Sequence, residues 1–195
     1  HADHCHGMNE LRHLNRLMDG AEIPIYGLDE HLSSVQQMFG YCFGGDNAYS
    51  LANPALRAAP MAPHTSHVIA GLPVTCFPMS HGLAGTTAGF RIADIAYLTD
   101  LKSIPEEGYA QLTGLELLVL DMLRDEIHPT HLNWEEACAV IERLQPASVV
   151  LTHMGHEVFY AEWEERLPEN VTMAYDGLVR SFSAGMRQPD QMLVR

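Results

Sequence analysis

The chain has 195 residues, 47% of them hydrophobic, with 25 acidic and 11 basic side chains and a formal net charge of -14. Its length and apolar content support one domain-sized core. The acidic balance argues against a protein that grips nucleic acid by its overall field, and no apolar run nears the roughly 20 residues needed to span a membrane.

The first seven residues, His1-Ala2-Asp3-His4-Cys5-His6-Gly7, form an H-x-D-H-x-x-G run. A helix period does not bring His1, Asp3 and His4 to one point, because residues two apart face different ways. A loop between a strand end and a helix start does. Imidazole and carboxylate are the usual N/O ligands of zinc, manganese or iron. The spacing fits a pair of ions better than one, with Asp3 and His4 serving one ion and His1 the other. The competing reading is a capped helix start with incidental histidines.

The pattern then predicts a helix over 8–18 with Met8, Leu11, Leu14, Leu17 and Met18 as its apolar stripe. A short strand at 23–26 and a helix over 28–39 follow. Residues 41–63, rich in Gly, Asn, Ala and Pro, show no period and read as a long excursion over a site. Strands are expected at 64–70 and 72–79 around Gly71, and at 86–92 and 95–99 around Ala93-Asp94. A short helix at 104–112 leads to a continuous apolar strand at 115–121, the pattern of a strand buried on both faces. The helix over 133–145 has Asn133 as its cap and Glu136 three residues on. A buried strand at 149–152, a helix at 160–167 and a last strand at 171–175 complete a domain over 1–182. The polar tail 183–195 is expected to be disordered. Antiparallel strands followed by β-α alternation imply an α/β protein, with helices packed outside its sheets.

The four cysteines, Cys5, Cys42, Cys76 and Cys138, form no C-x-x-C pair, so neither a zinc knuckle nor a redox motif is indicated. Cys76 and Cys138 read as buried thiols and Cys5 as a weak ligand candidate, and the default setting is cytoplasmic. His81, Asp100, Asp121 and His153 share one address, the C-terminal end of a predicted strand. Such ends line the rim where open α/β sheets assemble their sites. One such residue is usually a turn former; several His and Asp on one rim point to chemistry.

H-x-D-H-x-x-G, Ser80-His81-Gly82, Tyr97-Leu98-Thr99-Asp100 and Leu151-Thr152-His153 together resemble the metallo-β-lactamase-fold hydrolases, in both order and strand-end placement. The segment His128-Pro129-Thr130-His131, with His131 22 residues before His153, resembles the branch of phosphoribosyl cyclic phosphate phosphodiesterase and ribonuclease Z. The resemblance implies an αββα sandwich. It assigns His1 and His81 to one divalent ion, Asp3, His4 and His153 to a second, and Asp100 as a bridge. His131 becomes the general acid. His6, His128 and His156 have no ligand role in the family. The family motif reads T-H-x-H-x-D-H, so its Thr-His pair and the opening strands would precede residue 1, and the sequence is read as N-terminally truncated.

Two such ions, zinc or manganese with iron as an alternative, lower the pKa of a shared water and clamp phosphate oxygens. Asp100, between the ions, orients that water, His131 protonates the leaving alkoxide, and Asp3 is counted with them as catalytic. Arg124 is read as a surface guanidinium, with phosphate binding as the alternative. The expected partner is a small phosphodiester, a cyclic sugar phosphate or a nucleotide. A homodimer is left open, and neither a membrane nor a large nucleic acid is expected. The rival readings are a lactonase, thioesterase or amide hydrolase on the same fold, and a non-catalytic metal-binding scaffold.

Overall fold

A computed structural model describes residues 1–44 and 52–182. Contacts divide the chain into two compact units, His1–Thr65 and Ser66–Arg195. The expected tail and the middle of the expected excursion lie outside the described residues.

The first unit opens with α1 (Ala2–Cys5), a 3-10 segment at His6–Leu11 and α2 (Arg12–Leu17). A single helix over 8–18 is therefore not what forms. Three residues per turn in the 3-10 segment rotate the apolar stripe out of phase. Met8 and Leu11 pack on the unit's core, while Leu14, Leu17 and Met18 are exposed. β1 (Ile23–Gly27) and α3 (Asp29–Met38) fall where the pattern put them. The excursion holds a strand instead of featureless loop: β2 (Leu56–Pro60) pairs in parallel with β1, Ile23 opposite Leu56. Leu-Arg-Ala-Ala-Pro lacks the β-branched alternation that announces a strand, so only its partner reveals it. Cys5, Phe39, Cys42 and Leu56 form the core. Buried Asn15 ties the helical segment to the start of β2. Its amide donates to the Ala21 and Ala55 carbonyls at 2.7 and 2.9 Å and accepts the Ala55 N–H at 3.1 Å.

The second unit carries β3 (Ser66–Ile69), β4 (Leu72–Ser80), β5 (Thr86–Ile92), β6 (Ile95–Leu98), β7 (Leu117–Asp121), β8 (Ser148–Thr152) and β9 (Val171–Met173). They form one sheet in chain order. β3 to β6 pair antiparallel through hairpins; β6 to β9 pair in parallel. Two reversals return β6 to the direction of β4, so β4, β6, β7 and β8 all point their C-terminal ends at one rim. Parallel neighbours need crossovers. These contain α4 (Glu106–Tyr109), α5 (Trp134–Leu144) and α6 (Tyr160–Glu164). α4 and α6 are shorter than the pattern predicted, and Pro105 sets the start of α4.

The core runs under this sheet. Leu98, Leu118, Leu120 and Leu151 are fully buried, with Phe77, Met79 and Trp163 in the same cluster. Each such side chain contributes about 1.5–3 kcal/mol by leaving water. Gly89 sits opposite Phe77, and a Cβ there would lie 2.7 Å from the ring. α5 begins with the expected cap: Asn133 Oδ1 accepts the Glu136 N–H at 3.1 Å and Glu136 accepts the Asn133 N–H at 3.0 Å. Among the described residues no helix is long and apolar enough to cross a membrane.

Candidate metal centre

The rim of the second unit is set by strand register. Leu98 pairs with Leu120, and Asp121 pairs with Thr152. Residues just past these pairs therefore leave the sheet together, and they are Asp100 and His153. Both adopt left-handed backbone, φ 57 for Asp100 and φ 62 for His153. Non-glycine residues pay for that conformation, which clusters at functional turns. Thr87 Oγ1 braces the first turn by donating to the Asp100 carbonyl at 2.8 Å.

His81 follows β4 and is 2% exposed. Its Nδ1–H donates to the Thr130 carbonyl at 2.8 Å. A carbonyl only accepts, so this bond fixes the tautomer and turns Nε2 toward Asp100, 3.9 Å from Oδ1. A histidine held in this way presents a lone pair to a metal. Gly82 makes the contact possible: with φ +59, any Cβ there would collide with the Pro129 carbonyl.

His153 Nε2 lies 3.1 Å from Asp100 Oδ1. His131 stacks on His153, ring centroids 4.8 Å apart and planes at 20°. Its Nδ1 is 2.9 Å from Asp121 Oδ2. Asp100, His131 and His153 each offer a ligand atom, all within 4.8 Å of one another. Two imidazoles and a carboxylate, closely set and largely buried, fit a divalent cation by donor type. His131, expected as a proton donor, thus also stands within ligand reach.

Asp121 is the residue whose role the strand-end pattern left unassigned. It is fully buried, and burial pushes its carboxyl up to about 7, against the pull of the nearby His153. Its Oδ2 also accepts the Leu101 N–H at 3.2 Å. Lys102, which carries no sequence signal, ties the same loops. Its Nζ donates to Glu136 Oε2 at 2.7 Å and to the His131 carbonyl at 3.3 Å. His128 packs beside His131, centroids 5.2 Å apart, and its pKa is lowered, first by burial and then by the His131 charge. Arg124 is half-buried and reaches Glu157 at 3.4 Å. His156 is exposed.

In the first unit, the motif expected as a loop is a helical turn. His1 is the N-cap of α1, and the His4 N–H donates to its carbonyl at 3.2 Å. Asp3 Oδ2 lies 3.3 Å from His4 Nε2. His1, Asp3 and His4 are exposed. The Cys5 side chain turns into the core, its thiol donating to the His1 carbonyl at 3.0 Å.

The chain matches the Beta-lactamase superfamily domain over residues 1–154. It therefore belongs to that superfamily and has the metallo-β-lactamase fold. Human tRNase Z, short form, shares the fold at 16% identity and a TM-score of 0.57, covering 82% of this chain and 68% of its own. A crystallised diphosphatase of the PhnP family is 30% identical, with a TM-score of 0.79 over 91% of this chain and 66% of its own. Zinc-bound PqqB from Methylobacterium extorquens shares the fold at 20% identity and a TM-score of 0.60, covering 87% of this chain and 68% of its own. A curated relative, Octanoyltransferase of Porphyromonas gingivalis, is 30% identical over 91% of this chain. The chain spans 35% of that protein's length. Membership of this fold implies divalent metal, and the donor set on the rim suits it.

Proposed function

We propose that the chain is a phosphodiesterase that uses two divalent ions to hydrolyse a small phosphodiester, a cyclic sugar phosphate or a nucleotide. The observation that carries this reading is His131: its Nδ1 lies 2.9 Å from buried Asp121 and its ring stacks on His153. With Nδ1 occupied by a carboxylate, Nε2 is the nitrogen left to protonate a departing alkoxide. The 30% identity to a PhnP-family diphosphatase supports a phosphorus centre.

His81, Asp100 and His153 hold metal in this proposal. The family pattern that the sequence resembles gives His1 and His81 to one ion, Asp3, His4 and His153 to the other, and Asp100 to both. The ions, zinc or manganese, supply Lewis acidity that activates water and offsets charge on phosphoryl oxygens. The net charge of -14 favours a small substrate over a long nucleic acid. Among the described residues the four cysteines form no disulfide, which suits a cytoplasmic setting.

Bis-p-nitrophenyl phosphate, nitrocefin and a lactone, each offered to the metal-loaded chain, separate the candidate chemistries. Turnover of the diester alone is expected; turnover of nitrocefin or the lactone alone would refute the proposal. His131→Ala should retain metal while turnover of an alkyl diester falls by about 10²–10⁴. Equal loss of metal would make His131 a ligand instead.

A further inference from the structure

We propose that Asp121 is a positioning residue whose single buried carboxylate sets both the proton-donor histidine and a metal-binding histidine. The inference rests on the reading of His131 as proton donor. Asp121 ends β7 with 0% exposure. One oxygen, Oδ2, takes His131 Nδ1 at 2.9 Å and the Leu101 N–H at 3.2 Å. The other, Oδ1, is buried without a hydrogen bond among the described residues and lies 3.8 Å from His153 Nδ1. A carboxylate is a poor choice for a strand buried on both faces, since it loses water on all sides. Two hydrogen bonds and one longer charge contact account for it: His131, the backbone that follows left-handed Asp100, and His153 at 3.8 Å.

Each attachment has a consequence. The His131 bond holds the proton on Nδ1 and aims Nε2 away from the carboxylate. When water attacks phosphorus, a P–O bond forms to water and the P–O bond to the alkyl group breaks. The Nε2 proton passes to the departing alkoxide oxygen, which leaves as an alcohol. The proton released by the water returns to His131 through solvent, so atoms and charge balance. Asp121 keeps the Nδ1 proton throughout, and the ring need not turn between cycles. Oδ1, 3.8 Å from His153 Nδ1, acts on that ring through its charge rather than a hydrogen bond, while Nε2 faces Asp100 at 3.1 Å. A carboxylate behind a metal-binding histidine raises its basicity and fixes its tautomer.

The test uses the full chain and Asp121→Asn, which keeps the side-chain volume, with circular dichroism to check folding. Turnover of a ribonucleoside 2′,3′-cyclic phosphate, whose leaving group is an alkoxide, should fall about 10–100-fold, and zinc affinity by a similar factor in chelator competition. Bis-p-nitrophenyl phosphate, whose leaving group needs no proton, should lose only the part due to weaker zinc, and should recover at saturating zinc. In the metal-free chain, ¹⁵N NMR of labelled histidine should show His131 protonated on Nδ1 in the wild type and a mixed tautomer in the variant. Equal losses on both substrates at saturating zinc, with the His131 tautomer unchanged, would overturn the proposal. Unchanged zinc affinity would overturn its His153 half. If the wild type hydrolyses neither diester, the phosphodiesterase reading fails, and the tautomer measurement alone still decides the role of Asp121.

Discussion

The H-x-D-H turn and the strand-end cluster carry the same ligand chemistry in opposite surroundings. His1, Asp3 and His4 are exposed on a four-residue helical turn, and the Asp3–His4 contact is between sequence neighbours. His81 is 2% exposed and Asp121 0%, and both are held by residues remote in sequence. Groups on the exposed turn are cheap to hydrate and free to adjust. Groups on the buried rim have lost water already, so their rotamers, tautomers and backbone are decided before any ligand arrives. The difference assigns precision to the sheet and adaptability to the turn.

Metal removal tests the comparison most harshly. Dialysis against a chelator should abolish turnover, and zinc or manganese should restore it. Asp100→Ala should prevent that restoration and leave metal content well below the wild type, measured by elemental analysis. Restored activity in Asp100→Ala would show that the rim is not the metal-holding region.

A smaller effect concerns pH in the metal-free chain. Burial raises the Asp121 carboxyl to about 7 from an ordinary 3.8. The folded state then holds a proton that the unfolded state releases between those values. The stability this group contributes is full below pH 4 and is lost as pH rises through 7, by roughly a few kcal/mol at most. Thermal melts from pH 4 to 8 should show this slope in the wild type and a shallower one in Asp121→Asn. Parallel slopes would remove Asp121 as the cause.

Gly82→Ala should cost about 1–3 kcal/mol and lower turnover, because its Cβ would push the Pro129 carbonyl and, through it, His131. A denaturant midpoint unchanged within error would contradict the packing at that turn. Least of all, Asp3→Asn should move stability by no more than about 0.5 kcal/mol, since the side chain is exposed. Its metal content should nonetheless fall. A stability loss as large as that of Gly82→Ala would erase the contrast between turn and rim.

Much of this was legible in the chain. The continuous apolar run before Asp121, the Asn133–Glu136 capping box and the hairpins of β3 to β6 all follow from local pattern. β2 was not legible, because Leu56–Pro60 has no strand signature apart from its parallel partner at Ile23–Gly27. The single helix expected over 8–18 failed for a related reason: a 3-10 segment shifts the stripe, and periodicity assumes one pitch throughout.

By itself the sequence determined which residue types gather at strand ends and in what order. His81, Asp100, Asp121 and His153 could be picked out because a strand must end somewhere and His and Asp are poor choices for its interior; His131 was picked out by the family resemblance of His128-Pro129-Thr130-His131. Only the tertiary structure decided how they act on one another. The register of β6, β7 and β8 brings Asp100 and His153 out at one level, one residue beyond Asp121, and the Thr130 carbonyl and the Asp121 carboxylate select which nitrogen of His81 and of His131 carries a proton. Tautomer and ring orientation depend on hydrogen bonds between residues 49 and 10 positions apart. Those bonds exist only after the sheet has closed the distance.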